Sequence, residues 1–494
     1  TDEVSPAGLS GVGFDGRGRP RVWLDFPYRE EPVTFPEPGH SAPPDLQAAV
    51  WQPGQEREFE FHLFLTGPDR HSYDPVLRFL YDRDAARHHL KPWMGLAEGA
   101  ALAAHGLARW HYLPGDDILM ETVAFGREGG LPDRKNMHVA WVSGAPYAAA
   151  LLEHARRGGS EEHLAPALAV LDKIASGVAP CGAFWGEWRH DRGWSHGWTP
   201  KKGWLHPRTL GEATLFMLRA ARAERERGHE HPAWVEAVRS NLDYVSRVQG
   251  SDGNLGGYYD AHTGEVVAWE GAGGLTYVAA LAEGAAFLGE PRYLEAARRA
   301  GEYYARFVHQ EFIHGAPEDV HLAPTSEDGY AAVIAYMALH EATGEERWLD
   351  LARRAADWTM TFRLSYNLDF PPLSFLAKYD FRSRGSDIAS PSNQHLHAYG
   401  LIATREMLRL ADLTGDRHYL ERTRDNIACF LQFIAREDGD FNAYKGMASE
   451  RFYNTNCFQP KGMLLTLSHS WSVGMVLIAS LEAGERAGEL RLPA

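Results

Sequence analysis

Five tryptophans stand close together in one segment, and charged residues separate them: Trp185, Trp188, Trp194, Trp198 and Trp204. An indole ring is large, flat and rigid and carries one N–H donor, so it suits the apolar face of a sugar ring. The interleaved polar side chains suit the hydroxyl groups at the rim of that ring. We therefore expect Trp185, Trp188, Trp194 and Trp198 to bind a saccharide. The alternative is an aromatic plug between helices.

Several carboxylates can supply the acid and the base of a hydrolysis. Cleavage of a glycosidic bond requires a carboxylic acid that protonates the leaving oxygen and a second carboxylate that acts as base or nucleophile. Glu187 lies among the tryptophans, and an apolar setting raises the pKa of a carboxyl group. We predict Glu187 as the acid, Glu327 or Asp328 as the base, and Asp387 as a further catalytic candidate. For each of them, helix capping or contact with a sugar hydroxyl is the alternative.

The run from Asn393 to Tyr399 favours a different chemistry. Abstraction of the proton next to a uronate carboxylate requires a base, His or Tyr, and an Asn or Arg that neutralises the carboxylate. His395 is the candidate base of such a lyase or epimerase reaction. We expect the run to be helical, so that His395 and His397 point to different sides and only one of them faces the cavity.

Composition and motifs exclude several classes of function. Acidic residues outnumber basic ones 66 to 50, whereas nucleic-acid binders need clustered Lys and Arg. No apolar run approaches the roughly 18 residues of a membrane span. No H-E-x-x-H pattern occurs, and we expect no metal and no other cofactor.

From about residue 93 the pattern becomes helical and repeats. Gly289, Gly344 and Gly415 each stand four residues before an aromatic residue that opens an amphipathic helix. Glycine in this place ends one helix as a C-cap before the next one starts. First helices are predicted near 95–110, 161–176, 232–248, 291–308, 346–362 and 417–434, and second helices near 138–156, 206–223, 271–288, 328–343, 393–413 and 468–485.

Long loops join each first helix to its second helix, whereas the other links are short. Loops of this length are usually functional, and here they gather at one end of the array, where the second helices begin. Polar and aromatic residues are concentrated there. Those predicted to bind substrate are Asp116, Asp117, His138, Arg208, Tyr259, Glu270, Asn393, His397 and Trp471.

The first 88 residues have a different pattern. Val22, Leu24 and Phe26 alternate with other residues, as do Phe59, Phe61, Leu63 and Leu65, and Pro and Gly interrupt the stretch. Alternation with a period of two predicts strands. We predict a small β-rich region over residues 1–88 and one helical domain over residues 89–494.

The six helix pairs and the glycine-aromatic repeats resemble the (α/α)6-toroid carbohydrate-active enzymes. Gln249, Asp252-Gly253 and Tyr259-Asp260 match a short hairpin that such toroids contain. The resemblance covers about residues 93–490 and implies a mostly α fold, a toroid of six helix hairpins behind a small β-rich region. It includes glycoside hydrolases, polysaccharide lyases and sugar epimerases, so it implies an architecture more than a reaction.

The leading hypothesis is a glycoside hydrolase that acts on an oligo- or polysaccharide with a pair of carboxylates. A uronate lyase or sugar epimerase is the second hypothesis, and a non-catalytic saccharide-binding toroid is the third. We expect a saccharide partner, with a uronate-containing one left open, and neither nucleic acid nor a membrane. The sequence as given starts without a signal segment, and it leaves both location, cytoplasmic or secreted, and oligomeric state open.

Overall fold

The structure is a computed structural model of the 494-residue chain. It describes most of residues 62–493 and shorter stretches before them. The described residues are 9–15, 18–19, 21–28, 34–37, 40–42, 52–56, 58, 62–158, 160–318, 320, 323–390, 393–455 and 459–493.

Helices dominate the described part of the chain. They are α1 (Asp74–Ala85), α2 (Leu96–Gly106), α3 (Ala145–Arg156), α4 (Leu164–Ala175), α5 (Pro207–Glu226), α6 (Pro232–Val248), α7 (Leu275–Leu288), α8 (Pro291–His309), α9 (Ser326–Thr343), α10 (Glu346–Thr359), α11 (Phe375–Lys378), α12 (Thr404–Thr414), α13 (Arg417–Phe430), α14 (Ser470–Ala483) and α15 (Ala487–Leu490). None of the described helices is long and apolar enough to cross a membrane.

Six of these helices form a closed inner ring, which confirms the predicted (α/α)6 toroid. Around the ring, α3 packs on α5, α5 on α7 and α7 on α9, and α9 contacts a 3-10 segment, Ala398–Ala403, that leads into α12. This segment contacts α14, and α14 returns to α3. The outer helices α4, α6, α8, α10 and α13 each pack on the inner helix that precedes them, whereas α2 packs on α14. Each inner helix except α14 therefore packs on the outer helix that follows it after a short connection.

Burial distinguishes the two rings. Every residue of α9 from Ser326 to Leu339 is buried, because outer helices, inner neighbours and the ring axis surround it. On α8, buried residues recur every three or four positions, as expected of an outer helix with one apolar face. Gly289, Gly344 and Gly415 adopt φ values of 70°, 69° and 65°, which confirms the predicted glycine C-caps.

Short strands accompany the helices. They are β1 (Leu9–Asp15), β2 (Arg21–Tyr28), β3 (Thr34–Glu37), β4 (His40–Ala42), β5 (Tyr112–Leu113), β6 (Ile118–Leu119), β7 (Thr122–Phe125), β8 (Gly130–Arg134), β9 (Asn136–His138), β10 (Glu187–Arg189), β11 (Gly193–Ser195), β12 (Trp204–Leu205), β13 (Tyr258–Asp260), β14 (Val266–Ala268), β15 (Asp387–Ser390), β16 (Asn393–His397), β17 (Phe452–Tyr453) and β18 (Leu467–His469).

Four three-stranded sheets lie in the long loops: β11-β10-β9, β12-β13-β14, β15-β16-β17 and β18-β7-β8. Strands β12, β16 and β18 each lead directly into an inner helix or into the 3-10 segment before it, and β9 precedes inner helix α3 by six residues. These sheets therefore fix the direction in which loop side chains point at the mouth of the ring.

The N-terminal region matches the prediction only in part. Strands β1 and β2 pair, as do β3 and β4. The predicted strand over residues 59–65 is wrong where it can be judged: Leu63 and Leu65 lie outside any strand and are exposed, while Phe59 and Phe61 fall outside the described residues. Helix α1 also lies where β structure was expected, and its Tyr81 hydroxyl donates to Asp425 of α13 at 3.0 Å, so the helix packs on the toroid. The boundary at residue 88 stays a prediction.

Candidate active site

A buried arginine occupies the mouth of the inner ring. Arg208 opens α5 and is 2% exposed, and its guanidinium donates to Glu327 at the start of α9. Its Nε also donates to Glu212, one turn further along α5, at 3.4 Å. The guanidinium lies 5.0 Å from the ring centre of Trp141 and 4.9 Å from that of Tyr399. Residues from four parts of the chain thus meet above the ring axis. Arg208 and Glu327 were predicted as site residues from sequence, whereas Glu212 and Trp141 were not.

His138 connects the residues around Arg208 to the tryptophan-rich loop. Its Nε2 lies 3.3 Å from Oε1 of Glu318, which also accepts a hydrogen bond from the Thr209 hydroxyl. The other oxygen of Glu318 accepts the backbone N–H of Trp198 at 2.8 Å. Burial disfavours the charged form of Glu318, but the charge and hydrogen bond of His138 and the Thr209 hydroxyl outweigh it and lower its pKa to about 2. Glu318 is therefore an ionised carboxylate that fixes the histidine and the loop.

Glu187 lies beside His138, because the two residues are cross-strand partners in β10 and β9. It is 2% exposed, and its nearest described charge partner is the Arg189 guanidinium at 3.5 Å. Burial raises the pKa of Glu187, the Arg189 and His138 charges oppose that rise, and Glu318 adds to it. The raised pKa agrees with the apolar setting expected from sequence, and the role of Glu187 as acid stays a prediction.

A second buried carboxyl group, Glu121, lies close to Glu187. Neither of its oxygens has a hydrogen-bond partner within the described residues, and the nearest guanidinium, that of Arg134, is 3.6 Å away. Burial, followed by the charge of Glu187, raises the pKa of Glu121 to about 8. At neutral pH the Glu121 carboxyl group therefore holds a proton.

Aromatic and imidazole rings form a further side of the site, which we call the aromatic wall. The ring of His397 stacks on Tyr399 at 5.5 Å and lies 4.8 Å from the ring of Trp471 at the start of α14. The expected helix at His395 and His397 is wrong: both residues belong to β16, so they share one face and their ring centres are 5.4 Å apart. Pairing with β15 and β17 favours the strand. Burial lowers the pKa of His397 to about 3, and that of His395 also falls.

The tryptophan-rich loop is divided between two surfaces. Trp188 and Trp194 are cross-strand partners, and alternation along β10 directs them away from the face that carries Glu187. Their rings pack edge to face at 5.4 Å, and the Lys173 ammonium of outer helix α4 lies 3.5 Å from the Trp188 ring centre. Trp185 likewise contacts His262. For these three, the aromatic plug is the better interpretation.

Trp198, by contrast, reaches the site. Its ring lies 5.3 Å from that of Trp141 and 6.2 Å from that of His138. The hydrogen bond from its backbone N–H to Glu318 holds it there. Of the four tryptophans predicted to bind sugar, it is the one that the structure brings to the buried acids.

Two predicted catalytic carboxylates have structural partners instead. Asp328 is the third residue of α9 and forms a capping box with Thr325, whose N–H it accepts at 2.8 Å. It also accepts the Ala316 N–H at 2.7 Å. Burial raises its pKa to about 7, although those backbone hydrogen bonds oppose the rise. Asp387 pairs with Arg363 at 2.8 Å and accepts the Tyr330 hydroxyl at 2.5 Å. Both are fully buried, so capping and ion pairing explain them.

Other predicted binding residues lie apart from this cluster. Tyr259 is fully buried and its hydroxyl donates to the Leu255 carbonyl, so it belongs to the core. Asp116 contacts His190, and Asp117 accepts the Tyr112 hydroxyl at 2.8 Å in a turn. Glu270 lies in a separate cleft beside the site. The side chain of Asn393 falls outside the described residues. In the part of the chain that the structure describes, no three His, Cys, Asp or Glu side chains form a metal-binding group.

Sequence reasoning missed Glu318, Glu212 and Trp141. Glu318 stands in the long loop between α8 and α9 without a motif around it, and only its placement in a long loop could have drawn attention to it. Glu212 follows Arg208 at helical spacing, which is a signal that could have been used. Trp141 lies just after the predicted site residue His138.

Comparison with known proteins agrees with this architecture. Residues 197–434 match the model of the β-L-arabinofuranosidase family, GH127 catalytic domain. That segment contains Arg208, Glu318 and Glu327, whereas Glu121 and Glu187 precede it. No curated protein matches the chain.

Several solved structures share the fold at low sequence identity. A family 76 glycoside hydrolase from a bovine Bacteroides thetaiotaomicron strain has a TM-score of 0.55 and 13% identity over 80% of this chain and 78% of that one. Cellobiose 2-epimerase from Spirochaeta thermophila has a TM-score of 0.51 and 13% identity over 84% and 99%. Unsaturated glucuronyl hydrolase from Bacillus sp. GL1 has a TM-score of 0.50 and 12% identity over 79% and 96%. These structures show the (α/α)6-toroid fold, and together with the family match they support a carbohydrate-active enzyme of this fold, a glycoside hydrolase with a saccharide substrate.

Proposed function

We propose that this glycoside hydrolase cleaves the bond to an L-arabinofuranosyl residue at the mouth of the inner ring. The matching family model describes a β-L-arabinofuranosidase catalytic domain, which supports a pentofuranoside as the sugar. Trp198 is partly exposed beside the buried acids and offers a flat apolar surface for a furanose ring, while Trp141 and Trp471 are buried rings of the same cluster.

Glu187 is the proposed general acid. A general acid must hold its proton near the working pH, and burial next to the charge of Glu318 raises the pKa of Glu187 in that direction. This pairing of a raised pKa on Glu187 with a lowered pKa on Glu318, on two sides of His138, is the observation that carries the proposal. Glu121, with a pKa of about 8, is the second proton donor within this group.

Glu327 is the proposed base or nucleophile. Its Oε2 pairs with Arg208, while Oε1 lies 3.8 Å from Nε2 of the His397 imidazole. Oε1 is therefore next to an imidazole and not paired with the Arg208 guanidinium that holds Oε2. Glu318 is less suited to attack, because hydrogen bonds from His138, Thr209 and the Trp198 N–H occupy both of its oxygens. We assign Glu318 a positioning role.

A neutral sugar suits the site better than a uronate. Arg208 is paired with Glu327, and Arg134 and Arg189 lie 3.6 and 3.5 Å from Glu121 and Glu187. A substrate carboxylate would have to compete with these groups for each cation. The lyase hypothesis also needs a base, and burial lowers the pKa of its candidate base, His395, well below the usual value, which makes His395 a weak base.

The test is hydrolysis of 4-nitrophenyl α- and β-L-arabinofuranosides, with a polyuronate assayed for unsaturated product. Glu187→Gln should slow cleavage of an alkyl arabinofuranoside by about 10²–10⁴-fold, and much less for the 4-nitrophenyl leaving group, which needs little protonation. Glu327→Gln should lose turnover with both, and azide should restore part of it. Glu346→Gln, an exposed residue of outer helix α10, is the control.

Two outcomes would contradict the proposal. Unsaturated product from the polyuronate, without arabinose release from either anomer, would make the chain a lyase. Full turnover in Glu187→Gln with loss in Glu121→Gln would move the acid to Glu121 and refute the assignment of Glu187.

A further inference from the structure

A second cleft lies beside the active site, at the same end of the toroid. Its volume is about 670 Å³, and its walls come from the β13-β14 hairpin with its flanks and from the end of α8 with the loop after it. The residues that the argument uses are Asp252, Asn254, Trp269, Glu270, Tyr303 and His314. None of them belongs to the cluster of Glu187, Glu318 and Glu327.

An exposed tryptophan, Trp269, lines this cleft beside the half-buried Tyr303. Trp269 is 43% exposed, which is unusual for so large a side chain in a well-packed loop. The Asn254 side chain is buried, and its Nδ2 donates to the Trp269 carbonyl and to the Tyr303 hydroxyl, each at 2.8 Å. One amide thus links the backbone of Trp269 to the hydroxyl group of Tyr303 and holds these two parts of the cleft together.

The local sequence maintains this geometry. Gln249 Nε2 donates to the Gly253 carbonyl and to the Ala296 carbonyl, both at 3.0 Å, and so ties the loop to α8. Gly253 has a φ of 96°, and a Cβ there would lie 2.2 Å from the Arg299 carbonyl oxygen. The Gln249 and Asp252-Gly253 motif therefore builds the cleft, a role that the active site does not explain.

The cleft and the active site share one loop. The His314 carbonyl accepts the Ala272 N–H at 2.7 Å, which joins the loop after α8 to the start of α7. The same loop continues within a few residues to Glu318, which contacts His138 in the active site. A saccharide chain that leaves the active site along this loop would meet the cleft.

We propose that this cleft binds a sugar unit of a neutral polysaccharide, away from the bond that is cleaved. Trp269 offers a ring face for stacking, and the carboxylates of Asp252 and Glu270 accept hydrogen bonds from hydroxyl groups. The same carboxylates repel uronate or sulfated chains. The inference rests on the saccharide substrate of the enzyme and is independent of which carboxylate acts as acid.

Affinity electrophoresis tests the inference without catalysis. The protein should be retarded in gels that contain arabinan or arabinoxylan, and Trp269→Ala should weaken that binding roughly 5- to 30-fold, as expected when about one or two kcal/mol of contact is lost. Turnover of a 4-nitrophenyl arabinofuranoside should stay unchanged, because the small substrate does not reach the cleft. Trp23→Ala is the matched control, since Trp23 is 44% exposed and remote in sequence from the cleft.

Equal retardation of Trp269→Ala and the parent protein would refute the inference, as would retardation by polygalacturonate alone. Glu270→Ala, a second exposed variant, should also weaken binding, and unchanged thermal unfolding would show that both variants are folded. If no arabinofuranoside is cleaved but retardation still depends on Trp269, the inference stands and the proposed function fails. The two results are therefore separable.

Discussion

The buried cation of the active site gives a sharp prediction for stability. Arg208→Met removes the guanidinium and leaves the carboxylates of Glu212 and Glu327 buried without it. Removing one partner of a buried ion pair costs about 3–5 kcal/mol, because the remaining charge has lost its solvation and its partner. Burial already raises the pKa of Glu212 against the opposing charge of Arg208, so the variant should raise it further.

The raised pKa of the buried carboxyl groups determines how the stability of the variant changes with pH. A carboxyl group whose pKa in the folded state lies above its unfolded value of about 4.3 binds protons on folding, so stability falls as pH rises from that value through the folded pKa. The variant should therefore lose about 1.4 kcal/mol per pH unit for each affected group over that interval. Its deficit relative to the parent protein should be largest near pH 7 and should shrink as pH falls toward 4.

Urea unfolding at several pH values measures this deficit. Arg208→Met combined with Glu327→Gln should recover part of the loss, because the double variant buries one charge fewer. Arg192→Met is the control: its partner Asp191 lies 2.9 Å away, but both are exposed, so the change should be below about 1 kcal/mol. A deficit that is the same at pH 4 and pH 7 would refute the reasoning.

Other predictions concern separate residues. Asp328→Asn should lower stability by about 1–2 kcal/mol through the capping box, with loss of turnover no larger than the unfolded fraction explains; thermal unfolding and kinetics check this. Trp198→Ala should raise KM or lower kcat, whereas Trp188→Ala should act mainly on stability, and equal kinetic effects would contradict the division of the loop. His71 pairs with two carboxylates at 2.9 and 3.1 Å, and the resulting hydrogen bonds raise its pKa to about 9. Its contribution should be complete below about pH 6.5 and lost as pH rises through 9, so the effect of His71→Gln on stability should disappear above that range.

The helices could be predicted from sequence because their signals are local. The prediction of 232–248 coincides with α6, where Pro232 opens the helix and an apolar face repeats at helical spacing. The prediction of 393–413 failed in its first part, since β16 exists only through pairing with strands distant in sequence. Propensity does not report such long-range partners.

Site residues could be predicted where they stand near the start of an inner helix. Those placed by loops or strands could not. Arg208 stands at the start of inner helix α5 and His138 in the strand before inner helix α3, and both contact Trp141 in the structure. The faces of the tryptophan-rich loop depend on alternation along β10, which the sequence does not reveal without knowing that a strand forms there. Glu318 enters the site only because its loop folds back onto His138.

The closure of the ring has a consequence for biosynthesis. Helix α2 packs on α14, so the first outer helix of the toroid acquires its partner from the last inner helix. On the ribosome, α2 is synthesised early, but the surface that packs on α14 has no partner until nearly the whole chain has been translated. Contacts between such distant segments form slowly, and unpaired apolar surfaces promote aggregation meanwhile. Slower translation or chaperone depletion should therefore reduce the soluble yield of this protein through α2 before any other outer helix.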